Sequence, residues 1–524
     1  MNDPKTVLLF LNDFAGGGSE RFFFVEDGVI AEVQAENVVE AKGELICHDY
    51  WLIAPALYRK TGSLPKLITD VEELRIATSG RREDREGRER VDVWRDIEST
   101  NEHAVISQYR NIIFKAAEFD EAVFLLIASK LLSLYEEMVI KAIEAGEWQR
   151  YTEIERPITD YLMRCACQGL AIDAVALRKH KGEIDFLYYM ALKEFSAKFD
   201  VPLEVPSDED VMDYLIPKGY DFSGVGVEYV LSFLPMHDGY SEKLQELRKI
   251  SNSRFALNNI PFSQTRIYPM VDSFGSITSR IYYKDPSLQS LSKRHRNILA
   301  PDFGMVLSYV DFGQYEAGIM GALSQDAELL SQFHAGDLYA LLARELFGSE
   351  ESRKYAKRLF LSYAYGMKRR NLIDAAVNLG SQREVAKEFF SKFQRFEAWK
   401  KEICENFRLS GRIGTVLGNY LVRDDSSELT EKEKRSAVSQ VVQGTASLIF
   451  KKALLRLSEI PSIQLKVPMH DAVLFQHPKD FDPQVVATLF AEVMTAHFGG
   501  QVIGKASIAN FLVDHTHGSP NGLN

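Results

Sequence analysis

The sequence lacks an uninterrupted apolar run of about 18 residues, the length that a membrane-spanning helix requires. Its first residues, MNDPKTVLLFLNDF, include an apolar run but neither the basic start nor the small-residue cleavage site of a signal peptide. Cysteine is scarce, and two of the four cysteines, Cys165 and Cys167, stand too close together for a usual zinc site. These absences argue against a membrane partner and a disulfide framework, and they favour a cytoplasmic protein with reduced thiols.

An excess of positive charge is also lacking. The chain has 74 acidic and 62 basic residues, which gives a net charge of −12. Nucleic-acid-binding proteins typically carry a basic surface, so the total charge by itself argues against such a function. A large enzyme can nevertheless keep a local basic groove on an otherwise acidic surface. The composition, 46% hydrophobic and 26% charged, is that of a globular chain of several domains.

Three separated stretches contain the residue types that a phosphoryl-transfer site needs. In the first, an apolar run at residues 306–310 ends at Asp311 and is followed by apolar residues at helical spacing. A strand that ends at a carboxylate is a common metal-holding arrangement, but most such aspartates form turns or cap helices. The stretch RKYAKRLFLSYAYGMKRR places Arg353, Lys357 and Tyr365 on nearly one helical face. The stretch LKVPMHDAVLFQ places Asp471 between two apolar runs, as at a hairpin tip.

Together these stretches suit a reaction in which two carboxylates hold Mg²⁺, cations hold a triphosphate and an aromatic ring stacks on a base. They also resemble the motifs of family A DNA polymerases, the class of bacterial DNA polymerase I. DFGQYEAGIMGALSQD is similar to motif A, RKYAKRLFLSYAYGM to motif B and MHDAVLFQ to motif C. The resemblance runs from about residue 151 to the C-terminus, and the three motifs follow in the family's order.

The resemblance implies an α+β multidomain fold of the right-hand polymerase type, with an antiparallel palm sheet and a helical thumb and fingers. We expect an exonuclease-like domain at 1–140, a thumb with connecting helices at 141–270, a palm at 271–335 and 425–524, and fingers at 336–424. The implied activity is that of a DNA-directed DNA polymerase of replication or repair, which adds dNMP to a primer 3′-OH by two-metal-ion phosphoryl transfer. Its expected partners are primer-template DNA and dNTPs, and the expected state is a monomer.

The resemblance also implies roles for single residues. Asp311 and Asp471 are expected to bind two Mg²⁺ ions, with Mn²⁺ as an alternative, and the Phe312 carbonyl is expected to complete a metal site. Lys357 is expected to act in catalysis as a proton donor to pyrophosphate. The residues expected at the incoming dNTP are Gln314, Glu316, Tyr339, Arg353, Lys357, Leu361 and Tyr365. The residues expected to contact DNA are Arg280, Gly366, Arg435, Gln443 and His470.

At several of these motif positions the chain departs from the family pattern. Ala472 stands where the family has Glu, Leu361 where it has an aromatic residue, and Tyr339 where many members have His. Ser279 replaces a Gly and Ser439 replaces an Asn. These departures leave open a non-catalytic DNA-binding module of polymerase fold. A ribonucleotide polymerase is a further alternative, which Glu316 disfavours because in the family this Glu blocks the 2′-OH and ties down a neighbouring tyrosine.

Residues 1–140 show a different pattern, in which strands and helices alternate as in an α/β domain. VLLFLNDF and RFFFVEDGVIAEV have strand patterns, whereas ELICHDYWLIAPALYRKTG and LITDVEELRIA each indicate a strand followed by a helix. The highly charged stretch at 79–95 predicts a solvated loop.

By resemblance, this segment is an RNase H-like domain of the 3′–5′ exonuclease type that has lost acidic ligands. Asn12-Asp13-Phe14 stands where the family has Asp-x-Glu, and Lys115 and Phe119 stand where it has Tyr and Asp. Asp49 and Asp70 fall near the places of two family acids. We therefore predict an inactive exonuclease domain and no proofreading. An active nuclease with rearranged ligands, Asp13, Asp49 and Asp120, is the alternative.

Overall fold

The structure is a computed structural model that describes residues 5–14, 19–81, 84, 103–115, 117–220, 226–233 and 239–512. Its chain forms two compact units, each built from three segments. The first unit consists of Met1–Gly169, Tyr268–Lys284 and Ile403–Asp471. The second consists of Leu170–Ile267, Asp285–Glu402 and Ala472–Asn524. The charged stretch at 79–95 lies largely outside the described residues, and the expected domain boundaries stay a prediction.

A mixed sheet with strand order β3-β2-β1-β4-β5 opens the first unit. Its strands are β1 (Thr6–Leu11), β2 (Arg21–Glu26), β3 (Val29–Val33), β4 (Leu45–Cys47) and β5 (Ile68–Asp70). Antiparallel pairing joins β1 to β2 and β2 to β3, whereas β1, β4 and β5 are parallel. The helices of this part are Ala35–Val39, Tyr50–Thr61, Val71–Thr78, His103–Ile113 and Glu121–Ala145. The predicted α/β alternation of the N-terminal segment is confirmed.

Alternate residues of β1 point into two separate apolar cores. Val7 and Leu9 belong to a core with the helices that follow β5, whereas Leu8 and Phe10 belong to a core with the helices that precede it. A strand that helices cover on both faces has a continuous apolar sequence instead of an alternating one, and VLLFL is such a sequence.

The rest of the first unit consists of helices and short strands. Its helices are Trp148–Arg150, Arg156–Gln168 and Glu431–Ser458, with one π-helical turn at Tyr151–Glu155. Its strands are β8 (Met270–Asp272), β9 (Tyr282–Lys284), β12 (Arg412–Thr415), β13 (Gly418–Val422) and β14 (Gln464–Pro468). The Glu431–Ser458 helix begins with a capping box in which Thr430 and Glu433 satisfy each other's backbone amides.

An antiparallel sheet with the order β15-β11-β16 is the centre of the second unit. These strands are β11 (Met305–Phe312), β15 (Ala472–Pro478) and β16 (Ala506–Ile508). A second small antiparallel sheet joins β6 (Leu170–Ile172), β7 (Arg266–Ile267) and β10 (Leu299–Ala300). The predicted combination of an antiparallel sheet with many helices, the α+β class, is confirmed.

Helices form most of the second unit. Those before the sheet are Ala174–Phe199, Asp208–Leu215, Val227–Phe233 and Tyr240–Asn258. Those that follow β11 are Tyr315–Ser324, Ala327–Ala335, Leu338–Phe347, Arg353–Ala364, Arg369–Asn378, Arg383–Phe389 and Gln484–His497. The Gln394–Ser410 helix begins in the second unit and ends in the first. Within the described part of the chain, no helix has both the length and the apolar character needed to cross a membrane.

Candidate active site

Asp311 lies one residue before the end of β11, on the central strand of the antiparallel sheet. Its partner across the β11–β15 ladder is Ala472, the first residue of β15. Asp471 is the residue immediately before Ala472, between β14 and β15, as the apolar pattern predicted. The chain therefore turns into β15 through one acidic residue, and the β15 strand begins directly opposite another.

The donor atoms at this sheet end fit a hard divalent cation. Oδ1 of Asp311 is buried, and both predicted acidic ligands offer carboxylate oxygens. No cluster of three or more metal-ligating side chains occurs among the residues that the structure describes. Mg²⁺ usually binds one or two carboxylates together with substrate phosphates, so a pair of aspartates and a backbone carbonyl suits that ion. Zinc and copper prefer nitrogen or sulfur ligands, which neither the aspartates nor the carbonyl supplies.

The turn after Asp311 is held by backbone contacts. Gly313 donates its N–H to the carbonyl of Lys505, with an N···O distance of 2.7 Å. Gln314 adopts a left-handed conformation, and its side-chain amide donates to the Gly336 carbonyl and accepts from the Leu338 N–H. The amide of Gln314, a residue expected at the nucleotide, is therefore used to join two turns of the protein.

The basic face predicted for motif B is present on the Arg353–Ala364 helix. Arg353 and Lys357 are exposed, and the charged group of each lies 5.5 Å from the centre of the Tyr339 ring. The guanidinium of Arg353 also donates to Asp337, with an Nε···Oδ2 distance of 2.7 Å. Burial alone would raise the pKa of Asp337, but the bond from Arg353 and the bonds from backbone amides bring that pKa below its ordinary value.

Sequence reasoning missed the pairing between Asp337 and Arg353, although a local signal was present. Asp337 precedes a helical apolar pattern and caps the Leu338–Phe347 helix through the N–H groups of Tyr339 and Ala340. This is the usual signature of a helix start, and it places a carboxylate beside the predicted nucleotide residues.

The helix of motif B ends at the Tyr-Gly pair of the motif. It stops at Ala364, Tyr365 is its C-cap residue, and Gly366 has a φ of 90°, which glycine adopts without steric cost. The Tyr365 hydroxyl donates to Glu316 with an O···O distance of 2.8 Å. The predicted tie between Glu316 and a neighbouring tyrosine is therefore confirmed, and Leu361 lies one turn earlier on the same helix, half-buried.

The first unit contains four of the residues expected to contact DNA. Arg280 is half-buried and follows Ser279, whose φ of 64° lies in the left-handed region. The ring of His470 stands 5.6 Å from that of Tyr282, and partial desolvation together with the charge of Arg280 lowers the pKa of His470. Arg435 and Gln443 both lie on the Glu431–Ser458 helix, where Arg435 is exposed and Gln443 half-buried.

The acidic residues of the N-terminal domain are occupied by donors of the protein itself. Asp13 accepts from the Lys115 ammonium at 3.0 Å and from the Ser19 N–H at 3.1 Å. Asp49 contacts His48 and accepts from Trp51. Asp70 and Asp120 each cap a helix. Burial raises the pKa of Asp70 to about 6, so its charge is disfavoured in the folded protein.

Comparison with known proteins identifies relatives of this chain. The model of the family described as DNA polymerase family A matches residues 228–508, a little over half of the chain. DNA polymerase I of Helicobacter pylori strain 26695 is 25% identical over 360 residues, which are 64% of this chain and 40% of that protein. The thermostable DNA polymerase I of Thermus thermophilus is 25% identical over 409 residues, which are 70% of this chain and 48% of that protein. The chain thus matches less than half the length of these two relatives.

A solved structure has a similar fold. The POL domain of Pol1 from M. smegmatis, in complex with a DNA primer-template and a dNTP, superposes with a TM-score of 0.71. The likeness covers 93% of this chain and 91% of that one at 19% sequence identity. At this identity the likeness concerns the fold, and it confirms the predicted right-hand polymerase architecture.

Proposed function

The chain belongs to DNA polymerase family A, and from that membership we propose that it is a template-directed DNA polymerase. It adds a dNMP to the 3′-OH of a primer on a DNA template by two-metal-ion phosphoryl transfer. The observation that carries this proposal is the β11–β15 register, which pairs Asp311 with Ala472, the residue that follows Asp471. The residue that pairs with Asp311 in the sheet is thus the direct chain neighbour of the second predicted acid.

Asp311, Asp471 and the Phe312 carbonyl would hold the metal ions. When bound, the two ions supply Lewis-acid activation of the primer 3′-OH and neutralise the charge of the triphosphate. Ala472 has no side-chain ligand atom, so Asp471 would supply the carboxylate of motif C and Asp311 that of motif A. The chain's own contribution is to fix the positions of these oxygens at the end of an antiparallel sheet.

The exposed cations of motif B would bind the triphosphate. Arg353 offers a fork of donors to phosphate oxygens, and Lys357 offers a compact charge that can pass a proton to the leaving pyrophosphate. Phosphate oxygens would compete with Asp337 for Arg353, since that ion pair is partly exposed to solvent. The Glu316–Tyr365 contact would fill the space that a 2′-OH needs and so favour dNTPs over rNTPs.

Primer extension tests this proposal. We expect Asp311→Asn and Asp471→Asn each to lower the rate of dNMP addition by about 10²-fold or more, because each removes a charge that stabilises the transition state. The matched control is Asp480→Asn, an exposed aspartate in the turn after β15, which should extend primers at the wild-type rate. If the wild-type protein binds primer-template but adds no nucleotide, the alternative of a non-catalytic DNA-binding module is favoured. Ala472 and Leu361, which depart from the family pattern, are the reasons for considering that alternative.

We also propose that the N-terminal domain does not proofread. The Lys115 ammonium on Asp13 supports this, because it supplies at one carboxylate the positive charge that a metal ion would otherwise provide. A primer with a mismatched 3′ end, incubated with Mg²⁺ and without dNTPs, should remain intact. If the primer is shortened and Asp13→Asn abolishes the shortening, the alternative of a rearranged nuclease site is correct.

A further inference from the structure

Four charged side chains are buried together inside the first unit. Glu147, Arg150, Glu155 and Lys451 are each 3% exposed or less. Arg150 donates to both glutamates, and the Lys451 ammonium donates to Oε2 of Glu155 at 2.5 Å. The two positive and two negative charges balance, which makes their burial tolerable. Apolar residues of similar volume would often stabilise the fold as much as this buried ion-pair cluster does. Stability alone therefore does not explain why charged residues occupy these positions.

One end of this cluster joins the helices after the N-terminal sheet to a β-hairpin. Glu147 accepts the backbone N–H groups of Asn419 and Tyr420, on β13, at 2.9 and 2.8 Å. Arg150 also donates to the Ala77 carbonyl, at the end of the Val71–Thr78 helix. These contacts hold Arg150 in place, and Arg150 in turn fixes Glu155.

The other end of the cluster holds Ser279. Its hydroxyl accepts from the Lys451 ammonium at 2.5 Å and donates to Glu155 at 3.3 Å, and its carbonyl accepts from the Ser447 hydroxyl. Ser279 has a φ of 64°, a conformation that residues with a Cβ seldom adopt. The Ser279 N–H also donates to the Ser276 carbonyl at 2.8 Å. Four hydrogen bonds therefore hold a serine in a backbone conformation that glycine would adopt without strain.

Arg280 is the next residue, and its backbone is bound on both sides. Its N–H donates to the Ser276 hydroxyl at 3.1 Å, and its carbonyl accepts from the Gly275 N–H at 2.9 Å. The φ and ψ of Ser279 set the direction in which the chain enters Arg280. How Ser279 is held therefore fixes the backbone position from which the Arg280 side chain extends.

We propose that Lys451 and Glu155 are positioning residues for primer-template binding, because they hold Ser279 in its left-handed conformation and thereby position Arg280 for its contact with DNA. The inference rests on the proposed function, since it assumes that Arg280 contacts the primer-template duplex. It gives the helical segment after the exonuclease-like sheet a task in DNA binding that requires no nuclease chemistry. Lys451 and Glu155 themselves touch neither substrate nor metal.

A double-mutant cycle tests the inference, with the dissociation constant of primer-template DNA measured by fluorescence anisotropy in the absence of dNTPs. We expect Arg280→Ala and Lys451→Met each to weaken binding about tenfold, and the double variant to bind no more weakly than Arg280→Ala alone. Losses that multiply in the double variant would overturn the inference, because Lys451 would then act independently of Arg280. Wild-type affinity in Lys451→Met would overturn it as well.

The cycle also separates this inference from the proposed function. Wild-type affinity in Arg280→Ala would show that Arg280 does not contribute to DNA binding, and it would overturn the inference. The polymerase proposal would then still be decided by the Asp311→Asn and Asp471→Asn rates.

Two further variants keep the test decisive if Lys451→Met unfolds. Ser279→Ala loses the hydroxyl and keeps the strained φ, so it should weaken binding, whereas Ser279→Gly relieves the strain and should bind more tightly than Ser279→Ala. Wild-type affinity in Ser279→Ala would contradict the inference. The control for general destabilisation is Lys181→Met, which removes another buried lysine, one that donates to the Ile260 carbonyl in the second unit. It should lower the melting temperature but keep DNA affinity within about twofold.

Discussion

The hydroxyl of Tyr365, at the end of the motif B helix, donates a hydrogen bond to Glu316, near the start of the helix after Asp311. Both side chains are half-buried, so the contact is shielded from water yet open to a ligand. A hydroxyl group on the sugar of an incoming nucleotide would have to displace this pair or fit beside it. Under the proposed function, discrimination against rNTPs would depend on the size of Glu316 and on how firmly Tyr365 holds it.

Shortening Glu316 should reduce that discrimination. We expect Glu316→Ala to lower the ratio of kcat/KM for dNTP to that for rNTP by about 10–100-fold, because it opens space for the 2′-OH. Tyr365→Phe is the matched control, since it removes only the hydrogen bond and should have a smaller effect. An unchanged ratio in Glu316→Ala, measured by single-nucleotide incorporation, would show that another residue excludes the ribose.

His295 in the second unit makes stability depend on pH. It is buried against the His180 ring, with ring centres 4.8 Å apart, and neither of its ring nitrogens has a hydrogen-bond partner among the residues described. Burial, followed by His180 and Arg294, lowers the pKa of His295 from 6.5 to about 4. Between these values the unfolded chain binds a proton that the folded protein does not, so stability is lost as the pH falls through this window.

Replacing His295 by Phe should flatten this part of the pH profile. The wild-type protein should lose roughly 2–3 kcal/mol of stability between pH 6.5 and 4 through this group, whereas His295→Phe should not. Phe also removes two unpaired ring nitrogens and keeps a ring against His180. Thermal unfolding at a series of pH values measures the difference, and His334→Asn, at an exposed histidine, should keep the wild-type profile. Parallel profiles of wild type and His295→Phe would disprove the assignment.

Helix packing in the second unit depends on glycines at close contacts. Gly318, on the Tyr315–Ser324 helix, faces Phe333 and Met494 so closely that an added Cβ would lie 2.8 and 2.7 Å from their atoms. This helix follows Asp311 directly, so its distance from its neighbours determines where the strand end lies. Gly182, on the Ala174–Phe199 helix, has open space where a Cβ would be.

Alanine at these two helical positions should have opposite effects. Gly318→Ala should destabilise the protein by about 1–3 kcal/mol because the Phe333 ring has to move. Gly182→Ala should stabilise it by about 0.5–1 kcal/mol. Alanine restricts the conformations of the unfolded chain, and in the folded helix its Cβ clashes with no neighbouring atom. Denaturant midpoints provide the comparison. Destabilisation by both substitutions would show that the contact with Phe333 is not what distinguishes the two sites.

The net charge of −12 repels the phosphates of DNA, the proposed partner, whereas binding to DNA requires positive charge at the contact surface. Under the proposed function, binding would come from a limited number of basic residues, for which the exposed Arg435 is a candidate, and not from the charge of the whole molecule. Affinity under these conditions comes mainly from releasing counterions from the phosphates.

Primer-template affinity should therefore fall steeply with salt despite the acidic total charge. The logarithm of the association constant should decrease linearly with the logarithm of salt concentration between about 50 and 200 mM. Arg435→Ala should make this slope shallower by about one unit, whereas Arg383→Ala, at an arginine that is paired with Asp374 on the fingers-like helices, should leave it unchanged. A slope near zero in the wild-type protein would argue against phosphate contacts.

Local patterns in the sequence determined much of this architecture. The strands and helices of the N-terminal segment and the common face of Arg353 and Lys357 were predictable. Each depends on residues within a few positions of one another, where periodicity and helix-end signals operate. The three motifs by themselves also indicated the family.

Contacts between distant residues were decided only by the tertiary structure. Lys115 and Asp13 are 102 positions apart, and Lys451 and Glu155 are 296 apart, so no spacing rule connects them. Gln314 matched a motif, yet its amide is used by two turns that the motif does not include. A buried charge must find its counter-charge wherever the fold brings one within reach, and a single sequence contains no local signal for that choice.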